Sequence, residues 1–236
     1  EVATGGFVEV PRTGTIDDVR RRTLEARVLE NRDVDVIANE VVSAETATNM
    51  QMQVRTWDKK KAEESARDRL AEKSAAAQLI EVSPWRCDRT AGQCSWSYHG
   101  LLPAYATVDE KSARKGTLLL PLGLLGSTAE RQLASKKERR QPVVLRNTER
   151  LEEILRVTPP PGFSIDKTEL AAVAADAAGL AVRVDVADEG GVLVVTRRHQ
   201  WTAGRWEKAH WQKLQQTMQA STAVTSTLLP LEPPAT

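Results

Sequence analysis

The sequence predicts a mainly β, α+β fold built of antiparallel β-sandwich modules, with one helix after the third strand and one C-terminal helix. Leu151 to Met218 reads as a strand, a Pro-Pro-Pro-Gly turn, a two-stranded ribbon and a closing helix, with no catalytic group placed among them. Elsewhere apolar and polar residues alternate in short runs separated by turn residues, the period of half-buried strands. A four-residue period occurs at Ala62, Ala66 and Leu70, and helical spacing again at Trp211, Leu214 and Met218.

Residues 1–20 hold three glycines and one proline with little periodicity, and are expected to be a linker or edge segment. A first β module is expected over 21–110. Leu24, Ala26 and Val28 alternate with Glu25 and Arg27, Asn31-Arg32-Asp33 supplies a turn, and Val34, Val36 and Ala38 resume the alternation. Met50, Met52, Val54 and Thr56 are expected to line one face of a third strand. A surface helix is expected over 58–77 with Asp58 as N-cap, its opposite charges solvating the outer face.

Residues 111–141 change in composition and mark a connecting segment. Lys111, Arg114 and Lys115 precede a Leu-Leu-Leu-Pro-Leu-Gly-Leu-Leu run, and Lys136, Lys137, Arg139 and Arg140 follow it. The apolar run is too short for a bilayer and is interrupted by Pro121 and Gly123, so it is a buried strand or bend. A second module with a closing helix is expected over 142–220. Val143 to Leu145 and Glu152 to Val157 are strands, and Pro159 to Gly162 stop the chain before Phe163 and Ile165. Leu180 to Val186, the Asp188-Glu189-Gly190-Gly191 turn and Val192 to Gln200 form the clearest hairpin. A helix is expected from about Trp206, and residues 221–236 form a flexible tail.

Cys87 and Cys94 bracket a loop between two strand-like runs, and a hairpin closed by a disulfide fits this spacing. Such a bond persists only in an oxidising compartment, which points to a periplasmic or cell-surface location. Two free thiols or half of a zinc site are the competing readings, but zinc pairs are usually closer and a second pair is missing.

Thirty-three basic residues against thirty-two acidic ones leave a formal net charge of +1, without the excess that displaces counterions from phosphates, so nucleic acid is not an expected partner. The basic cluster of Lys136, Lys137, Arg139 and Arg140, diluted by Glu138, reads chiefly as a solvated loop, and with Trp57 and Trp85 it is the candidate binding surface. The six tryptophans otherwise suit core packing. His99, His199 and His210 are the available imidazoles, and none stands in a nucleophile motif; no Gly-x-Ser-x-Gly elbow, phosphate loop or metal-ligand spacing is present. No catalytic residue, metal or cofactor is expected.

The chain opens with Glu-Val-Ala-Thr-Gly-Gly rather than Met, and a piece of a longer protein is expected. The Leu-Leu-Leu-Pro-Leu run at 118–122, the Arg140-Gln141-Pro142 step into a strand, the Pro161-Gly162-Phe163 turn, the Val192 to Gln200 strand and the helix around Trp211 are the relevant features. In these the chain resembles the C-terminal region of bacterial transglutaminase-like envelope proteins, which carry β-sandwich domains of unknown function beside their catalytic core. The resemblance spans residues 21–220. It implies that the family's papain-like Cys, His and Asp triad lies upstream of Glu1, that no catalytic residue carries over, and that the setting is a Gram-negative periplasm or cell surface.

The expected function is a non-catalytic accessory or binding region of a cell-envelope protein, contacting another protein or an upstream domain without spanning a membrane. One alternative is a self-contained hydrolase on peptide or glycan, with a site assembled from His99, His199 and nearby carboxylates. Another is a structural subunit of a surface assembly.

Overall fold

A computed structural model of the protein describes residues 18–54, 57–126, 134–135, 143–145, 148–168, 170–177 and 179–234. It is mainly β with helices, in agreement with the expected class. Much of the expected 1–20 segment, and Lys136, Lys137, Arg139 and Arg140 of the basic cluster, lie outside the described residues.

Strand β1 (Asp18–Val28) turns at Asn31 to Asp33 into β2 (Val34–Ser43). Leu29 N donates to Asp33 O at 2.8 Å, and Arg32 adopts a left-handed φ of 73° to close the turn. Helices α1 (Ala44–Val54) and α2 (Lys59–Ala71) follow. The Asp58 side chain accepts from Lys61 N at 2.9 Å and caps α2 as expected. Strands β3 (Gln78–Asp88) and β4 (Gln93–Leu102) form the next hairpin, and the Cys87–Cys94 disulfide joins them at a directly opposed pair. Then come β5 (Thr107–Val108), β6 (Leu118–Pro121), a 3-10 turn at Leu122–Leu124, β7 (Val143–Leu145), β8 (Glu149–Thr158), β9 (Ser164–Ile165) and β10 (Val173–Ala177). The chain ends in β11 (Leu180–Glu189), β12 (Val192–Trp201), β13 (Gly204–Trp206), a 3-10 turn at Lys208–His210, helix α3 (Trp211–Thr225) and β14 (Leu228–Glu232).

Two expectations are corrected here. Met50 to Val54 of the expected strand are instead part of α1, where Met52 is 64 % exposed and Ala47 is the buried residue, and Thr56 lies outside the described residues. Alanine, glutamate, glutamine and methionine in this segment are strong helix formers, and Ala44 turns the chain out of β2 with a φ of 53°, so local propensity overrides the fortuitous period of two. The tail is the other case. Residues of β14 lie between β6 and β9 in a small sheet, with Leu229 and Leu231 fully buried. Burial of those leucines outweighs the ladder donor that Pro230 lacks.

Eight strands form one continuous sheet in the order β10-β11-β12-β8-β1-β2-β4-β3. Strands of the two expected modules meet at its centre, where β1 pairs in parallel with β8; the other neighbours are antiparallel. A period of two gives every strand one inward and one outward set of side chains. Inward residues such as Leu24, Val36, Leu102, Leu155 and Val195 share a core with Leu120, Leu122, Leu124 and Leu229 of the small sheet and its turn. At one edge of the large sheet α2 packs on β3 and β4, and at the other α3 packs on β10 and β11. The outward set, including Arg21, Glu25, Arg27, Ile37, Arg183 and Arg198, is exposed.

Gly100 lets α2 sit close to β4. A Cβ there would lie 2.5 Å from Leu70 Cδ1 and 3.0 Å from Gln78 O, so Gly100→Ala is expected to destabilise the chain by about 1 to 3 kcal/mol in chemical denaturation. Replacing both Cys87 and Cys94 by Ala is expected to cost about 2 to 3 kcal/mol, the chain-entropy value for so short a loop, and thiol titration of the native protein without reductant should find neither cysteine free.

Candidate functional site

Four strands of the large sheet carry a charged residue on the parity that otherwise feeds the core. The pairing registers bring these into one transverse row: Trp96 of β4 lies opposite Glu40 of β2, Glu40 opposite Arg22 of β1, Arg22 opposite Glu153 of β8, and Glu153 opposite Arg197 of β12. All five side chains are buried. Acid and base alternate across the row, so each charge has an opposite charge on its neighbour.

The contacts follow the register. Arg197 donates from Nε to Glu153 Oε2 at 2.8 Å and from Nη2 to the same oxygen, while Gly126 N donates to it at 3.2 Å. Arg22 Nη1 lies 3.6 Å from Glu153 Oε1, and Arg22 Nη2 donates to the Tyr98 hydroxyl at 2.8 Å. Trp96 Nε1 donates to Glu40 Oε2 at 3.1 Å. Burial alone would lower the Arg22 pKa, but Tyr98, Glu153 and Glu40 outweigh it, and the net pKa is raised.

One register step from the row, toward the start of β1 and β8, the floor opens into a cavity of about 420 Å³. Arg20, Arg69 and Arg150 line it with Glu149 and with Arg22, Glu40 and Glu153 of the row. Arg20 Nε and Arg69 Nη1 each stand 3.0 Å from Glu40, on its two different oxygens. The Arg69 guanidinium also lies 5.3 Å from the Trp96 ring centroid, a cation–π contact.

His199 borders the cavity on β12, and its Nε2 is 2.6 Å from Ser221 Oγ on α3. Ser221 is 0 % exposed and also receives a 3.4 Å contact from Arg197 Nη1. His99 lies on the opposite face of the sheet, 2.5 Å from Asp35, because its register partner Ile37 belongs to the outward set of β2. The two histidines are therefore not brought together. His210 is exposed in the 3-10 turn before α3.

Trp85 is buried and stacks on Trp96 at 5.6 Å between ring centroids. Trp57 is half-buried and meets Trp96 edge-on at 6.4 Å. Among the described residues no group of three or more His, Cys, Asp or Glu is placed to hold a metal ion, and no helix is long and apolar enough to cross a membrane.

The charged row is absent from the sequence expectations, yet its signal lies in the parity of the strands. Val34, Val36, Ala38 and Val42 share a face with Glu40, and Leu193 and Val195 share one with Arg197 and His199. A charge on the core parity of several strands demands a partner in another strand.

Comparison with known proteins adds little. No protein-family model and no curated protein matches the chain. Among solved structures it is similar to a candidate protease from Parabacteroides distasonis, at 15 % identity and a TM-score of 0.42, over 53 % of this chain. The chain spans 25 % of that protein's length. A likeness at this level transfers neither fold nor activity.

Glu152 and Glu153 are adjacent in β8 and point to opposite faces. On the outward face Arg21 Nε donates to Glu152 at 2.6 Å and Arg198 Nε at 2.9 Å; burial raises its pKa, but these hydrogen bonds reverse that and hold the carboxyl below its usual value. Glu153→Gln is expected to cost about 3 to 5 kcal/mol, because Arg22 and Arg197 lose their compensating charge inside the core. Glu152→Gln should cost about 1 kcal/mol near neutral pH. Because the folded Glu152 has a depressed pKa, its contribution is present above the ordinary carboxylate value and is lost as the pH falls through the folded value. Urea denaturation at about pH 7 and about pH 3 should therefore show the wild-type advantage over Glu152→Gln shrinking in acid.

Proposed function

We propose that the chain is a non-catalytic binding region of a bacterial cell-envelope protein, contacting a protein partner or a neighbouring domain. The observation that carries this reading is the commitment of the pocket's two buried acids to the scaffold. Glu153 is held by Arg197 and Gly126, and Glu40 by Arg20, Arg69 and Trp96. A general acid or base needs a proton-accepting oxygen or nitrogen directed at substrate, with an affinity for protons tuned to the task. Carboxylates tied into arginine forks hold shape and field instead.

The disulfide supports the compartment, since such a bond persists in oxidising surroundings such as the periplasm or cell surface. The resemblance to the flanking β domains of transglutaminase-like envelope proteins points the same way, and in that reading the chemistry resides in another part of the polypeptide. The near-balance of charge speaks against nucleic acid as partner.

One contact favours a second reading, a hydrolase built on the 2.6 Å pair of His199 and Ser221. Against it stands the complete burial of Ser221, whose hydroxyl no substrate carbonyl can reach in this arrangement. Fluorogenic peptide, ester and glycan substrates decide between the two. The purified chain is expected to turn over none of them above a Ser221→Ala control; turnover that disappears in Ser221→Ala or His199→Ala establishes the hydrolase and overturns the binding reading.

A further inference from the structure

We propose that the cavity beside Glu40 binds a carboxylate presented by an acidic segment of a partner polypeptide, and that Arg20 and Arg69 are the residues that hold it. The proposal rests on the binding reading above and names the chemistry of what is bound.

Charge is the first argument. At the rim Arg20 and Arg69 both pair with the one carboxylate of Glu40, two cations to a single acid. A single incoming carboxylate closes that balance. A doubly charged phosphate would overshoot it.

Accessibility is the second. Arg22 and Glu153 belong to the buried row, but the Arg20 side chain is 50 % exposed and that of Arg69 34 %. Their guanidinium groups stand at the rim, where a ligand meets them first. Both stand 3.0 Å from Glu40, so the fold already holds one carboxylate between these two cations and displays the chemistry the site accepts.

The third argument is the quality of the Arg20 contact. Arg20 Nε lies 3.0 Å from Glu40 Oε1, yet that oxygen accepts no hydrogen bond. The contact is ionic without a directed N–H, so Arg20 can turn its donors to a second carboxylate without giving up a hydrogen bond to Glu40. Glu40 keeps its bond from Trp96 and its contact with Arg69 meanwhile. A volume of about 420 Å³ falls in the range of small-ligand clefts and admits a side chain with its flanking backbone.

Trp96 makes occupancy measurable. Its indole N–H donates to Glu40 and its ring lies beneath Arg69, so a ligand that draws on Arg20 and Arg69 changes the field at that proton. The test is titration of the full 15N-labelled chain, with the Trp96 indole resonance assigned by Trp96→Phe. Acetyl-Gly-Glu-Gly-amide, its glutamine counterpart and inorganic phosphate are the probes. The glutamate peptide is expected to give a saturable shift that the glutamine peptide does not, with Kd raised about tenfold or more in Arg20→Ala and in Arg69→Ala, while the rest of each spectrum reports an intact fold. No saturable shift, equal shifts from both peptides, preference for phosphate, or indifference to both arginine replacements overturns the proposal. Such a failure alongside silent substrate assays removes the carboxylate assignment and leaves the binding reading standing; Ser221-dependent turnover removes the binding reading itself.

Discussion

The parallel pairing of β1 with β8 sets Arg22 against Glu153, and the rest of the molecule is arranged to make that contact tolerable. A guanidinium and a carboxylate removed from water each lose several kcal/mol of hydration, which their mutual attraction recovers only when the remaining donors and acceptors find partners. The antiparallel neighbours supply most of them, leaving Arg22 Nε without a hydrogen bond: Glu40 from β2 flanks Arg22, Arg197 from β12 flanks Glu153, and Tyr98 from β4 reaches Arg22 from the next row. A slip of one residue between β1 and β8 would turn the charges of one strand outward and leave their partners alone in the core. The row therefore makes a wrong register expensive at the only parallel joint of the described large sheet.

The covering layer is tied to the same row. Lys73, just beyond α2, donates from Nζ to Gly123 O at 3.0 Å and Gly126 O at 2.8 Å, while Gly126 N donates to Glu153. One short loop thus connects the end of α2, the leucine-rich turn and the centre of the charged row. Toward one end of the strands the inward face is capped by leucines of the small sheet; toward the other, where the row and Arg20 lie, apolar cover gives way and the cavity opens. The same strands that build a dry core build the polar pocket, simply because their parity residues change from leucine and valine to arginine and glutamate.

How much of this could be read in the sequence depended on whether the deciding contacts were local. The β1–β2 and β11–β12 hairpins were legible because alternation and turn residues lie within a few positions of each other, as Asp188 shows by accepting from Gly191 N in the turn it initiates. The Asp58 cap was legible for the same reason, and so was the Cys87–Cys94 bond, whose cysteines face each other across a hairpin. The helix at Ala44–Val54 was misread because Met50, Met52 and Val54 imitate a strand's period by chance. The strand at Leu228–Glu232 was missed because it is held by β6 and β9, distant in the chain, and local composition reports nothing of such partners. The charged row was missed for the same cause on a larger scale: Arg22 and Glu153 stand 131 residues apart, and a pairing between strands so distant in the chain leaves no local signature.

Glu152 and Glu153 show why proximity in sequence is a poor guide to role in such a sheet. Glu152 stands in an outward ladder with Arg21, Arg198 and Asp185 that water reaches and salt screens, so its pairs hold the surface together only weakly. Glu153 meets its arginines where neither water nor salt attenuates the field. The face that carries the ladder can exchange its partners for those of another molecule at little cost, and Arg21, Glu152, Arg183 and Arg198 line a pocket of about 600 Å³ there. The inward face offers enclosure, and its deep charges are already spoken for. At the rim of the inward cavity Arg20 and Arg69 share Glu40, so exposed cations stand over a buried floor, and that combination is what distinguishes a place for a ligand from a place that merely holds the fold.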